Sequence, residues 1–135
     1  MKAVVNRIIP FSSVDGPGNR TAIFLQGCNI DCKYCHNPET RKLCVQCGTC
    51  VKQCPAGALS VGADGKVTFD PEKCVQCDTC IHVCPHDSSP RTCEMTPEEV
   101  YARVKKQIPF IRGISVSGGE CMLWPEFLTE LFRLA

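Results

Sequence analysis

The pattern Cys-x2-Cys-x2-Cys-x3-Cys-Pro occurs twice, at Cys44, Cys47, Cys50 and Cys54-Pro55 and thirty residues later at Cys74, Cys77, Cys80 and Cys84-Pro85. An internal repeat constrains architecture before any residue-level reading does. Thiolates are soft ligands that suit iron–sulfur clusters or zinc. Zinc sites commonly draw on two ligand pairs well separated in sequence, whereas these four thiols are tightly spaced and end in proline. The runs therefore point to two cubane clusters, with zinc or a disulfide framework as the rival readings.

The chain of 135 residues holds 13 cysteines, nearly a tenth of its length. Such density belongs to a secreted disulfide scaffold or to a metal protein of a reducing compartment. An odd number fits poorly with complete pairing. Residues 1–7 contain no long apolar leader and no small-residue cleavage site, and no apolar run reaches the ~18 residues of a membrane span. The expectation is a cytoplasmic metalloprotein with no membrane partner. The formal net charge of +1 counts the thiols as neutral. With eleven of them bound as thiolates to three oxidised cubes it falls to about −4. No basic block or aromatic-basic stripe occurs, so nucleic acid is not an expected partner.

A further cysteine group precedes the repeat: Cys28-Asn29-Ile30-Asp31-Cys32-Lys33-Tyr34-Cys35. A [4Fe–4S] cube normally takes four cysteines. This run offers three, which would leave one iron without a protein ligand. An open coordination position is what a metal site needs to bind and change a substrate. A zinc knuckle and a loop of reduced structural thiols are the blander readings.

Around the cysteines the chain reads as strands and helices in alternation. Residues 3–9 are rich in β-branched side chains and stop at Pro10, which predicts a short strand. Residues 13–19 are a turn. Residues 21–25 form an unbroken apolar run, suited to a strand buried on both faces of a parallel sheet. The three-cysteine loop begins at its C-terminal end, the edge where parallel α/β folds bind ligands. Between the two copies, residues 55–59 suggest one helical turn, and residues 59–61 and 66–69 a hairpin around 62–65. Residues 85–90 read as linker. Thr96-Pro97-Glu98-Glu99 is a capping box opening a helix, with Val100, Val104 and Ile108 on one face beside Tyr101. Residues 114–116 read as a second buried strand, completing a βαβ unit, and Ser117-Gly118-Gly119-Glu120 follows. Pro125 opens a last helix whose apolar face is Phe127, Leu128, Leu131, Phe132 and Leu134.

Cys-x3-Cys-x-aromatic-Cys, with Tyr34 before the last cysteine, resembles the signature of the radical S-adenosylmethionine (SAM) enzymes. The resemblance implies a [4Fe–4S] cluster on Cys28, Cys32 and Cys35 whose open iron chelates SAM. It implies reductive cleavage of SAM to methionine and a 5′-deoxyadenosyl radical. Gly118, Gly119 and Glu120 would receive the amino group of the SAM methionine, and Tyr34 would lie near the adenine. Asp15-Gly16-Pro17-Gly18 and Cys35-His36-Asn37-Pro38 resemble a narrower group, the activating enzymes of glycyl-radical enzymes. Residues 8–18 and 24–29 look most like its YjjW-type members.

The duplicated run resembles that of bacterial ferredoxins, in which the fourth cysteine of each run ligates the other cluster. The implied sets are Cys44, Cys47, Cys50 and Cys84 for one cube, and Cys74, Cys77, Cys80 and Cys54 for the second. Three [4Fe–4S] clusters and SAM are thus the implied cofactors. The implied fold is α/β: the N-terminal part of a radical-SAM partial (β/α) barrel at residues 1–37 and 94–135, interrupted at 38–93 by a bacterial-type 2[4Fe–4S] ferredoxin-like α+β insert. The implied function is removal of an α-hydrogen from a backbone glycine of a partner glycyl-radical enzyme. A flavodoxin or ferredoxin-type donor would supply electrons, which the insert relays.

Cys93 and Cys121 match no cluster run and read as spare thiols, Cys121 following Glu120 where the family often has proline. The apolar pattern is still running at Ala135, and two doubly apolar strands cannot close a barrel. The expectation is therefore a truncated or split chain, with residues 21–25 and 114–116 presenting an apolar edge. The rival function is a ferredoxin-like electron-transfer protein, which residues 44–84 alone would support. Such a carrier has no need of the three-cysteine loop or of Gly118-Gly119-Glu120.

Overall fold

The computed structural model describes every residue except Asp31, His36, Asn37 and Asp87. The fold is mixed α/β. Its strands are β1 (Ala3–Ser12), β2 (Arg20–Leu25), β3 (Leu59–Val61), β4 (Val67–Phe69), β5 (Cys93–Met95) and β6 (Gly113–Gly118). Its helices are α1 (Thr79–His82), α2 (Pro97–Lys105) and α3 (Pro125–Leu134). One sheet has the order β5-β1-β2-β6, and β3 and β4 form a separate antiparallel hairpin. Among the described residues the larger sheet is open rather than closed into a barrel. No helix among them is long and apolar enough to cross a membrane.

β2 and β6 are parallel, with Ile23 opposite Val116 and Leu25 opposite Gly118. This is the pairing the two apolar runs predict. β1 is antiparallel to both β2 and β5. β5 lies where no strand was expected, because three residues are too few to display an alternation. β1 also runs on through Pro10, where its register against β2 shifts between Ile9 and Ser12. A bulge is one of the few strand positions that tolerates a residue without an N–H.

Val100 and Val104 of α2 and Phe127, Leu128 and Leu131 of α3 bury against Val5, Ile23 and Leu25 on one face of the sheet. Each such side chain removed from water contributes about 1.5–3 kcal/mol. The opposite face of β2 carries Ala22 and Phe24, both buried. The Arg7 guanidinium covers the Phe24 ring at 4.8 Å.

β2 is therefore not the exposed edge expected of residues 21–25. It lies between β1 and β6 and is buried from Thr21 to Leu25, and of the two expected edge strands β6 alone stands at an edge, with β5 at the opposite one. The start of α2 is as predicted: Thr96 Oγ1 accepts from the Glu99 N–H at 3.2 Å, and Glu99 Oε2 accepts from the Thr96 N–H at 2.7 Å. Its end is not. α2 stops at Lys105, and Ile108 begins a 3-10 turn, Ile108–Phe110, with half its surface exposed. A 3-10 turn takes three residues rather than 3.6 and so rotates Ile108 off the helical face. On α3, Phe132 is exposed, leaving Phe127, Leu128 and Leu131 as the buried stripe. The helical turn expected over residues 55–59 lies earlier, as a 3-10 turn at Val51–Gln53.

Candidate metal centres

The C-terminal ends of β2 and β6 lie side by side. Past the Leu25–Gly118 pair, the Gly119 N–H donates to Leu25 O at 3.0 Å and the Glu120 N–H to Gly27 O at 2.9 Å. Gly118-Gly119-Glu120 thus runs alongside the backbone that enters the three-cysteine loop at Cys28. Gly118 has φ +110°. A Cβ there would overlap the Leu25 backbone, and one on Gly119 would overlap Gly27 O and come within 2.8 Å of Thr40 O. The glycines were expected to admit a ligand; the backbone they admit on this side is the chain's own.

Glu120 Oε1 accepts from the Met122 N–H at 2.9 Å, capping the 3-10 turn Cys121–Leu123. Its second carboxylate oxygen retains acceptor capacity. Cys28, Cys32 and Cys35 are half-buried. Cys28 Sγ accepts from the Ile30 N–H at 3.3 Å, and the Cys35 N–H donates to Cys32 O at 3.3 Å. Tyr34 is 81% exposed. Asp31 and the His36-Asn37 pair lie outside the described residues.

The Asp15-Gly16-Pro17-Gly18 turn belongs to the other end of the sheet. Ser115 Oγ donates to Asp15 O at 2.6 Å and accepts from Arg20 Nε at 2.9 Å, which straps the turn to the start of β6.

The side chain that seats the cysteine loop directly follows the apolar run of β2. Gln26 is fully buried. Its Nε2 donates to Glu39 O at 2.6 Å and Lys42 O at 2.8 Å, and its Oε1 accepts from Asn6 Nδ2 at 2.9 Å. The Gly27 N–H donates to Thr40 O at 2.7 Å and the Cys28 N–H to Arg41 O at 2.6 Å. The chain entering the loop is therefore tied to residues 39–42 leaving it. The available sequence signal was a glutamine directly after an apolar strand, since a buried polar side chain must find partners.

In the repeat, Cys44, Cys47, Cys50 and Cys84 line one cavity, and Cys54, Cys74, Cys77 and Cys80 line another. Each contains about 320 Å³ of empty space, including its open mouth. The fourth cysteine of each run has crossed to the cavity of the other. Local geometry repeats with the sequence. Gln46 and Gln76 take left-handed φ values of 61° and 57°. Their N–H groups reach Cys44 Sγ and Cys74 Sγ, each at 3.4 Å. Thr49 Oγ1 lies 3.3 Å from Cys47 Sγ, and Thr79 Oγ1 3.2 Å from Cys77 Sγ. A left-handed non-glycine residue costs about 1–3 kcal/mol, and here the same step of both copies bears it.

Among the described residues, no three or more His, Cys, Asp or Glu side chains gather closely enough to hold a single metal ion. One zinc would draw its sulfurs to about 2.3 Å from a common centre. Four sulfurs spread around a cavity are the donor set that a multi-iron cluster requires.

Electrostatics separates outer from inner sulfurs. The hydroxyls of Thr49 and Thr79 hold the Cys47 and Cys77 thiols below their ordinary range. Burial pushes Cys50 up to about 11. It raises Cys80 as well, against the pull of the nearby Arg91 charge. Burial, and then the Glu120 charge, also raises Cys121. The thiolate is the reactive form. In the cluster-free chain, alkylation at Cys47 and Cys77 is therefore expected to set in at lower pH than at Cys50, which stays protonated through neutrality. Peptide mapping after iodoacetamide pulses at stepped pH reads this order directly, and Cys50 reacting first would contradict it.

Comparison with known proteins agrees with these centres. A family model described as a 4Fe-4S dicluster domain matches residues 43–88, and a 4Fe-4S single cluster domain matches residues 14–59. The chain is 37% identical to the benzylsuccinate synthase activating enzyme of Thauera aromatica, over 95% of this chain and 44% of that protein. It is 35% identical to the indoleacetate decarboxylase activating enzyme of Tractidigestivibacter scatoligenes, over 97% of this chain and 49% of that protein. It is also 35% identical to the choline trimethylamine-lyase activating enzyme of Oleidesulfovibrio alaskensis, over 96% and 47%. The chain spans about half the length of these curated relatives. The chain thus carries a 4Fe-4S dicluster domain, in sequence between its paired parallel strands, and is similar along nearly its whole length to part of the glycyl-radical enzyme activating enzymes.

Proposed function

We infer that this chain forms the SAM-binding and electron-relaying part of a glycyl-radical enzyme activase. The observation that carries the reading is the alignment of Gly118-Gly119-Glu120 with the entry to the three-cysteine loop, at the C-terminal edge of two parallel strands. An electron carrier has no use for that edge.

In this reading Cys28, Cys32 and Cys35 hold a [4Fe–4S] cluster with one iron open to SAM. When bound, the clusters and SAM together supply one-electron reductive cleavage of the sulfonium, giving the radical that takes a glycine hydrogen from a partner glycyl-radical enzyme. The chain's own residues bind and aim. Glu120 and the carbonyls beside it offer acceptors to the SAM ammonium. Tyr34 presents an exposed ring for the adenine. Gln26 fixes the approach of the loop. Cys44, Cys47, Cys50 and Cys84 hold a second cube, and Cys54, Cys74, Cys77 and Cys80 a third. Both receive electrons from a flavodoxin or ferredoxin-type donor. Residues 1–37 and 94–135 are the barrel portion, and 38–93 the insert.

Anaerobic reconstitution tests the division of labour. The wild-type chain is expected to take up ~12 irons and Cys32→Ala ~8. Addition of SAM should change the EPR signal of the reduced wild type and leave Cys32→Ala unaffected. If SAM still perturbs Cys32→Ala but not Cys47→Ala, the sites are reversed. If SAM perturbs neither wild type nor variants, the chain is an electron carrier.

A further inference from the structure

The two cysteine runs agree, thirty residues apart, at Gln46 and Gln76, Thr49 and Thr79, and Cys50 and Cys80. One of their differences meets in space a second difference that lies just beyond the runs. Gly48 of the first copy becomes Asp78 in the second, both left-handed, at φ 75° and 62°. Val61 of the first copy is matched by Arg91. Val61 Cγ2 lies 3.8 Å from where a Cβ on Gly48 would sit. In the second copy the same encounter is an ion pair, Arg91 Nη2 to Asp78 Oδ1 at 2.7 Å. One copy is neutral at this place and the other carries a fixed guanidinium.

Arg91 is well anchored. Its side chain is 22% exposed against 52% for Asp78. Its backbone N–H donates to Ser89 Oγ at 3.2 Å. It lines the cavity of Cys54, Cys74, Cys77 and Cys80 and not that of Cys44, Cys47, Cys50 and Cys84. Its guanidinium is held by the Asp78 carboxylate in the wall that Cys74 and Cys80 also line.

Reduction adds negative charge to a cluster. Its potential is set by the charge around it and by hydrogen bonds to its sulfurs. A cation in the wall of a cluster's cavity favours the reduced form. Asp78 opposes this only in part, since at 52% exposure its charge is screened by water more than that of Arg91 at 22%. We propose that Arg91 raises the reduction potential of the cluster in the Cys54, Cys74, Cys77 and Cys80 cavity above that of its neighbour. The first electron to enter the pair then resides there. This rests on the four-iron reading of both cavities. Each cluster takes one electron from an external one-electron reductant, with no bond made or broken, and Arg91 biases only which cluster takes it first.

The order also assigns ends. The Cys44 cavity is walled by Ser88, whose hydroxyl donates to Lys42 O at 2.7 Å, the same carbonyl that Gln26 binds. It is the cavity linked to the three-cysteine loop. The Arg91 cluster is the receiving end.

The test is an EPR-monitored redox titration of the whole reconstituted chain, with iron and sulfide counted in every sample. The wild type should show two unequal insert midpoints. Arg91→Gln should lower the higher one by about tenfold in the reduction equilibrium, ~59 mV for one electron, and leave the lower in place. Arg91→Lys should restore most of the shift. The reciprocal graft, Gly48→Asp with Val61→Arg, should raise the lower midpoint. Fully loaded Arg91→Gln with unmoved midpoints, or with both moved alike, overturns the proposal while the four-iron reading stands. If Arg91→Gln sheds a cluster, the graft decides: an unmoved lower midpoint overturns it. A wild type that takes up no insert clusters overturns the four-iron reading itself.

Discussion

Gly119→Ala is expected to strip the three-cysteine centre from the chain and leave the insert loaded. The new methyl would overlap Gly27 O and press on Thr40 O at 2.8 Å, and both are backbone atoms that no side-chain rotation can move away. Overpacking of this kind costs about 1–3 kcal/mol or somewhat more. The strain falls on Gly27, the residue before Cys28, and on the Gly27–Thr40 hydrogen bond that closes the loop. Iron content should drop from ~12 to ~8 atoms per chain, and the urea midpoint should fall. Gly65→Ala is the control. Gly65 has a left-handed φ of 79°, which Gly119 does not, yet its Cβ would meet nothing within 4 Å. Its cost should stay near the ~1–2 kcal/mol of the left-handed backbone alone, with full iron content. A Gly119→Ala chain that keeps ~12 irons would show that the contact with Gly27 and Thr40 does not hold the site.

Gln26→Leu should be nearly as damaging, through the opposite mechanism. Nothing is overfilled. The Glu39 and Lys42 carbonyls lose a donor and Asn6 loses an acceptor. A buried group left unpaired costs about 1–3 kcal/mol. Lys42 O keeps the Ser88 hydroxyl, which offsets part of the loss. A total on the order of 3 kcal/mol is expected. Gln26→Glu should be no milder, because a carboxylate would present acceptors to two carbonyl oxygens. Chemical denaturation reads the loss, and iron counting should again report depletion at the three-cysteine centre. A Gln26→Leu chain with an unchanged midpoint would mean that the two backbone bonds at Gly27 and Cys28 suffice.

What the sequence made legible was whatever is written locally. The cysteine runs, the Thr96–Glu99 capping box and the apolar runs of β2 and β6 each lie within a few consecutive residues. The parallel pairing of β2 with β6 followed from the apolar run of β2 and the βαβ order, although β6 alternates Ile114-Ser115-Val116-Ser117 and is half-buried rather than buried on both faces. What stayed hidden depends on partners far along the chain. β5 is three residues long and exists because β1 offers it an edge. Gln26 gives no local sign that its amide will bridge residues 39 and 42. Gln46 and Gln76 have no composition that marks a left-handed residue. Only their recurrence at the same step of both copies could have picked them out. The purpose of Gly118 and Gly119 was half visible. Two glycines announce close approach, but not that Leu25 and Gly27 do the approaching.

The crossing between residues 42 and 88 bears on how such chains lengthen and shorten over time. Lys42 and Ser88 form a β-bridge, and Ser88 and Ser89 are buried there. The stretch between them leaves and returns through a single closed neck. Closing a loop costs little more as it grows, about 0.6 kcal/mol for each doubling of length. With its ends already fastened to one another, the enclosed segment can be expanded, pared down or exchanged without β2 and β6 registering the difference. The neck is thus a natural seam for recombination, at which the cysteine-rich segment can be gained or lost while the edge formed by β2 and β6 stays as it is.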